Sequence, residues 1–265
     1  MKPSVALGGD LKVRAMVGIG LIVLAVAGIS IGGMIFSLFV GACGLLMLSE
    51  WAGMHRISRR WSVLGLLVVA TPVVLLPAYI TVPEQRLFHA WGLLAGAGLL
   101  LSVAARRPAL FAGILYAGLP SVALVWLRSQ PFGVEWVLWT LIIVWATDIF
   151  AYFAGRLIGG RRLSPRISPN KTWAGLVGGI LAASIIGALV AIWFGLPEWC
   201  AAVGGGLALL AQIGDLFESW LKRRAGVKDS GRLLPGHGGA MDRLDGVVPV
   251  AVVVALAVAL TGAWA

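Results

Sequence analysis

Residues 212–246, QIGDLFESWLKRRAGVKDSGRLLPGHGGAMDRLDG, hold five of the chain's eleven carboxylates between two apolar runs. These are Asp215, Glu218, Asp229, Asp242 and Asp245, and among them stand Lys222, Arg223, Arg224, Lys228, Arg232, Arg243 and His237, spaced by glycines. A solvated loop has no need for such alternation of sign. Clustered carboxylates among clustered cations suit a divalent metal bound together with a polyphosphate, each neutralising part of the other's charge. Helical spacing places Asp215, Glu218 or Ser219, and Lys222 on one stripe. Asp215 lies about two turns inside the last cation, where an unpaired carboxylate costs about 2.5–3.5 kcal/mol, so metal ligation accounts for it better than a buried ion pair. Glu218 with Lys222, at i,i+4, reads equally well as a pair that finishes a helix end. Asp242 and Asp245, at i,i+3, share a face if their segment is helical. Mg²⁺ takes one or two protein carboxylates and fills its other positions with water and substrate phosphate, which makes Asp215 and Asp242 its candidate ligands. The PGHGG run at 235–239 supplies backbone able to approach phosphate oxygens, and His237 reads as a hydrogen-bonding loop residue sooner than as a base.

The elements that must position these groups are membrane helices. The chain is 60% hydrophobic and only 12% charged over 265 residues, with a mean hydropathy of +0.96. Unbroken apolar runs of about 18 residues or more point to an all-α, polytopic membrane protein and exclude a barrel, whose strands alternate. About nine spans are expected. Residues 15–48 form two short spans meeting at Ser30-Ile31-Gly32-Gly33 or one long tilted helix. The others fall near 61–80, 87–104, 109–127, 136–154, 173–195, 199–220 and 247–263, with Pro72, Pro77 and Pro120 inside them and Pro249 blurring the start of the last. Nineteen of the 21 Lys and Arg then lie on one side, against Arg86 and Arg128 on the other. The positive-inside rule makes that side cytoplasmic, with the N-terminus and both long polar loops on it. The net charge of +10 therefore reads as loops facing anionic lipid, not as a nucleic-acid surface. Trp51, Trp61, Trp136, Trp173, Trp199 and Trp220 sit near span ends, as an interfacial belt requires. Cys43 and Cys200 lie in apolar surroundings without ligand spacing, and no cleaved signal peptide is read at the N-terminus.

The run 219–245 resembles the signature of phosphatidate cytidylyltransferases, also called CDP-diacylglycerol synthases: a Ser-x-x-Lys-Arg start, Lys-Asp, His-Gly-Gly, and an Asp-Arg-x-Asp end. Ser219, Lys222, Arg223, Lys228, Asp229, His237, Gly238, Gly239, Asp242, Arg243 and Asp245 fill its polar anchors, and Ala240 replaces a larger aliphatic residue. SPNKTWAG at 168–175 is similar to the family's Ser-Pro-x-Lys-Thr-x-x-Gly element, and TDIFAYFAGR at 147–156 to its Asp-x-x-Ala-Tyr-x-x-Gly-Arg element, with Ile149 in place of a small polar residue. The resemblance covers about residues 145–250; the N-terminal spans match only in being hydrophobic.

The resemblance implies a Mg²⁺-dependent reaction of CTP with phosphatidate to give CDP-diacylglycerol and pyrophosphate. Asp215 and Asp242 would hold the metal, with Asp148 as a further metal-side carboxylate or a partner orienting Lys171. Asp245 would be a ligand or stand behind one. Lys222, Arg223, Lys228 and Arg243 would neutralise phosphate, and Lys171 would clamp one substrate's phosphate. Ser219, Asp229, His237, Gly238 and Gly239 complete the substrate site. Residues 1–130 are expected to be scaffold or lipid access and 131–265 the catalytic region; homodimerisation is left open. Of the other classes, an ion-coupled transporter would use Asp148 and Asp215 as intramembrane carboxylates, but the polar groups crowd one face and no inverted repeat is visible. A CDP-alcohol phosphatidyltransferase would need an Asp-Gly-x-x-Ala-Arg motif, whereas Asp245-Gly246 runs into Val247-Val248-Pro249.

Overall fold

The computed structural model of the chain describes residues 20, 23–79, 83–231 and 238–262, with side chains from 76 to 79 and from 83 to 85 excepted. His237 and Arg232 lie outside the described residues. The fold is helical: α1 (23–31), α2 (Gly33–Met54), α3 (Arg59–Tyr79), α4 (Pro83–Ala105), α5 (Pro108–Arg128), α6 (Gly133–Leu157), β1 (Arg162–Ser164), β2 (Ser168–Thr172), α7 (Trp173–Phe194), α8 (Trp199–Arg224), α9 (Met241–Leu244) and α10 (Val247–Thr261). Six of these, α2, most of α4, α5, α6, α7 and α8, are long and apolar enough to cross a membrane, so the chain is a multi-pass membrane protein. The count of about nine spans is not reproduced. α10 is apolar but only 15 residues long, a rise of about 22 Å against a hydrocarbon core of about 30 Å. α1 is described over a single short stretch, and α3 is not among the six.

Within the expected span 15–48, the described residues 23–48 do not form one continuous helix. Gly32 and Gly33 take φ of +70° and +52°, which breaks the chain between α1 and α2, and a Cβ placed on Gly28 would lie 3.8 Å from Phe39. Residues that far apart along a straight helix cannot meet, so the chain folds back on itself at this point. Arg128 seals the break: its Nε donates to the Ile29 carbonyl at 2.6 Å, and a side chain on Gly32 would collide with its guanidinium.

α6, α7 and α8 pack through small residues, which in lipid let backbones approach where no hydrophobic force acts. A Cβ on Gly175 would stand 2.7 Å from the Ala151 carbonyl, one on Gly179 2.8 Å from that of Thr147, and one on Gly204 2.9 Å from that of Ala183. The belt expected of the tryptophans is partly overturned. Trp51 and Trp136 are buried in the helix bundle; Trp51 donates to the Ala109 carbonyl at 2.8 Å, and Trp136 stacks on Trp199. Position near a span end does not fix which way a helix turns its side chains, and these two turn inward.

The loop between α6 and α7 contains a two-stranded antiparallel hairpin, pairing Arg162 with Thr172 and Ser164 with Ser168. Its base is closed by Trp173 N–H donating to the Arg161 carbonyl, and Thr172 caps α7 by accepting from Gly175 N–H at 3.0 Å. The hairpin therefore leads directly into α7, which begins two residues after Lys171.

Candidate active site

Two lysines gather the carboxylates into two clusters. The first is built on the hairpin. Lys171 at the end of β2 pairs with Asp215 of α8 at 2.5 Å and donates to Gln212 Oε1 at 3.1 Å; Gln212 Nε2 lies 3.5 Å from Asp148 Oδ1 on α6. Gln212 is buried, one turn before Asp215 on α8, and so ties three elements together. These groups line a cleft of about 560 Å³ with Tyr152, Arg156, Asn170, Thr172 and Gly175. The Lys171 and Asp215 side chains remain 18% and 28% exposed, so the pair faces the cleft and not a sealed core.

The second cluster is more enclosed, its Lys222 and Asp242 side chains 13% and 10% exposed. Lys222 on the last turn of α8 pairs with Glu218 at 2.5 Å and with Asp242 Oδ1 at 2.6 Å, and the Glu218 side chain is 0% exposed. The other Asp242 oxygen accepts from Ser230 N–H and Oγ at 3.0 Å each and from Gly239 N–H at 2.8 Å. Gly238, at φ +80°, turns the chain into this arrangement. Burial by itself would raise the Asp242 carboxyl, but the Lys222 ammonium and the Gly239 and Ser230 donors outweigh it and hold it down at about 2.

Asp242 and Asp245 lie three residues apart on α9 and its C-terminal cap and take different partners. Asp245 sits where α9 ends and accepts from its neighbour Gly246 N–H at 2.7 Å. Its backbone reaches α8 at Gly214, where a Cβ would lie 2.5 Å from the Asp245 carbonyl, and this brings its charge to Asp215. Burial, then the negative charges of Asp215 and Asp148, push the Asp245 carboxyl up to about 7 against the opposing pull of Gly246 N–H and Lys171. Asp245 thus belongs electrostatically to the first cluster and Asp242 to the second.

Ser219 Oγ is 3.4 Å from Asp215 Oδ1. Arg223 is exposed and turned to the hairpin, donating to the Ile167 and Val227 carbonyls at 3.4 Å each; Lys228 and Asp229 are exposed on the loop after α8. Arg243 lines a separate apolar cavity with Leu244, Val247 and Met47.

Three participants escaped the sequence reading. Gln212 is one. Glu50, at the end of α2, is 6% exposed and accepts from Ser230 Oγ, Ala240 N–H and Met241 N–H at 2.8–2.9 Å. Its signal was present, a lone carboxylate in the apolar run LMLSEWAGM, but nothing local tells it from an interfacial residue. Tyr116 of α5 packs between Trp51 and Phe217, and its buried hydroxyl has no hydrogen-bond partner among the described residues.

The oxygen-only donors Asp148 and Asp215 on one cleft suit a hard divalent cation. Among the described residues no three His, Cys, Asp or Glu side chains form a ready-made metal cage.

Comparison with known proteins agrees with this chemistry. A phosphatidate cytidylyltransferase of Brucella abortus is 43% identical over 236 residues, 83% of each chain. One from Staphylococcus aureus is 33% identical over 248 residues, covering 89% of this chain and 94% of the relative, and one from Rickettsia bellii is 38% identical over 148 residues, 52% and 64% respectively. The family model for cytidylyltransferases matches residues 12–261, so the N-terminal helices fall within it as well as the two clusters. The chain belongs to the cytidylyltransferase family and is a nucleotidyltransferase.

Proposed function

We propose that this enzyme transfers the cytidylyl group of CTP to phosphatidate at the cytoplasmic face of the inner membrane. An oxygen of the lipid phosphate attacks the CTP α-phosphorus, the bond from that phosphorus to the β-phosphate oxygen breaks, and pyrophosphate leaves. The products are CDP-diacylglycerol and pyrophosphate. The attacking oxygen is already anionic, so the obstacle is repulsion between two polyanions, and catalysis is mostly positioning and charge neutralisation.

The observation that carries this reading is the open cleft where Lys171 meets Asp215 beside Asp148. It presents a cation and carboxylates on facing walls, with the N-terminal turn of α7 at its rim, a favourable end for phosphate. Asp215, Asp242 and Asp148 are the carboxylates we assign to a hard divalent ion, taken in this reading as Mg²⁺, with Asp245 behind them. The metal would neutralise phosphate oxygens as charge shifts to the leaving group. Lys171 clamps phosphate, and Lys222 stands by with its charge held in place by Glu218. Arg223, Lys228 and Arg243 are the more peripheral cations, and Ser219, Asp229, His237, Gly238 and Gly239 complete the substrate site. The helices up to about residue 130 act as scaffold and lipid access, and those after it carry the chemistry.

Purified protein given labelled CTP, phosphatidate and Mg²⁺ should form labelled CDP-diacylglycerol, and a chelator should stop it. Asp215→Asn and Asp242→Asn should each abolish product while the protein remains folded in detergent. Near-normal turnover in either variant would remove that residue from the metal assignment.

A further inference from the structure

The proposed chemistry leaves out a buried carboxylate that touches it. Glu50 comes from α2, roughly 190 residues before the groups it binds, and has no charged partner among its recorded contacts. Its Oε1 accepts from Ala240 N–H at 2.8 Å, and its Oε2 accepts from Met241 N–H at 2.9 Å and from Ser230 Oγ at 2.9 Å. The first two donors belong to the opening of α9, the four-residue helix that carries Asp242. The third, Ser230 Oγ, also lies 3.0 Å from Asp242 Oδ2. Both routes from Glu50 therefore end on Asp242.

The surroundings are shaped to this carboxylate. A Cβ on Gly231 would come within 2.6 Å of Glu50 Oε1, and one on Gly239 would collide with both Ser230 Oγ and the Glu50 carboxylate. The polar segment packs closely on Glu50, which touches Ser230 and Gly231 on one side and Gly239 to Met241 on the other. A carboxylate needed only to finish a helix would not have to be enclosed in this way, because water could satisfy it.

We propose that Glu50 is a positioning residue for the transfer reaction: through Ser230 and the start of α9 it holds the Asp242 carboxylate at the site. The inference rests on the role given to Asp242 above. It also makes the N-terminal helices part of the catalytic apparatus, since α2 supplies a support that the C-terminal region lacks.

Glu50→Gln is the informative variant because it keeps shape and one acceptor while presenting N–H to Met241 N–H. Glu50→Ala, which leaves two buried donors unmatched, serves only as a stability reference. In detergent, with rates normalised to folded protein, Glu50→Gln should lose about 10–100-fold in kcat, the usual scale for groups that orient a metal ligand. KM for CTP should change by less than about threefold. Mn²⁺ affinity, read by electron paramagnetic resonance without substrate, should weaken in step. Adding Ser230→Ala to Glu50→Gln should cost less than the product of the two single losses, because both act on one carboxylate.

A kcat per folded molecule equal to wild type, with a lowered thermal midpoint, would make Glu50 a fold anchor and overturn the proposal; so would losses that multiply independently. Asp242→Asn separates the two levels. If that variant turns over normally, the reading of Asp242 has failed; if it is inactive while Glu50→Gln runs at the wild-type rate, only the Glu50 inference has failed.

Discussion

The two lysine clusters contain similar groups and are built for opposite purposes. Around Lys171 the partners are few, the pair with Asp215 is partly exposed, and a cleft of about 560 Å³ opens beside it. Around Lys222 each carboxylate oxygen of Asp242 is engaged, Glu218 is fully enclosed, and backbone N–H groups complete the shell. An ion pair at the edge of a cleft can exchange its partner for a substrate phosphate at little cost. A sealed pair cannot, because each charge released would be left buried without compensation. The first cluster is thus suited to take substrate phosphate directly, and the second to hold the Asp242 carboxylate, the proposed metal ligand, in a fixed orientation.

The sharpest way to break this comparison is to remove each lysine in turn. Lys222→Met leaves Glu218 at 0% exposure and Asp242 both without their cation, which should cost about 3–5 kcal/mol and cause loss of folded protein in detergent. Lys171→Met should keep its thermal midpoint within a few degrees yet lose about 100-fold or more in CTP-dependent turnover. Thermal unfolding and turnover measured on both variants decide the matter. If Lys171→Met unfolds and Lys222→Met is merely slow, the assignments are reversed.

The clusters should also respond to pH with opposite sign. Asp242 is held at about 2, below its ordinary carboxylate value, so its stabilisation is complete above about pH 4 and is lost as pH falls toward 2. Asp245 is pushed up to about 7, so the fold favours its neutral form: that contribution is present at low pH and lost as pH rises from about 4 through 7. In metal-free buffer, Asp245→Asn, a permanent mimic of the neutral acid, should match wild type near pH 3 and exceed its thermal midpoint by a few degrees at pH 8. Asp242→Asn should be less stable than wild type at pH 6, and the gap should close in acid. Parallel pH profiles for the two variants would contradict the electrostatic separation of the clusters.

How much of this was legible in the sequence depends on the length scale of the signal. Apolar runs placed α5, α6, α7 and α8 within a few residues of their observed ends, because hydrophobic length is recorded residue by residue. The crowding of charge in 212–246 announced a site, and Lys171 and Asp148 were found through their motifs. What could not be read was pairing. The i,i+3 spacing of Asp242 and Asp245 carried no word of their partners: Asp242 accepts from Ser230 and Gly239, and Asp245 from Gly246. The hairpin was missed because strands of three and five residues carry no periodicity worth counting. Glu50, Gln212 and Tyr116 were missed because each acquires its meaning from contacts made far along the chain.

The mildest perturbation tests whether the first cluster depends on the hairpin as the second depends on α9. Thr172 accepts from Gly175 N–H at 3.0 Å and stands against Gly155, so it fixes the junction of β2, α6 and α7 immediately after Lys171. Thr172→Ala removes that cap at a cost of about 1 kcal/mol. Lys171 keeps its charge but loses its fixed approach to Asp215, so KM for CTP should rise more than kcat falls, with a combined loss of less than about tenfold. Thr172→Ser retains the capping oxygen and should restore most of the loss. The Asp242 side should be untouched, which the acid limb of thermal stability would show by coinciding with that of wild type. Were the acid limb to move along with KM, the clusters would be one mechanically coupled unit, and the division between a ligand-facing cleft and a sealed support would have to be abandoned.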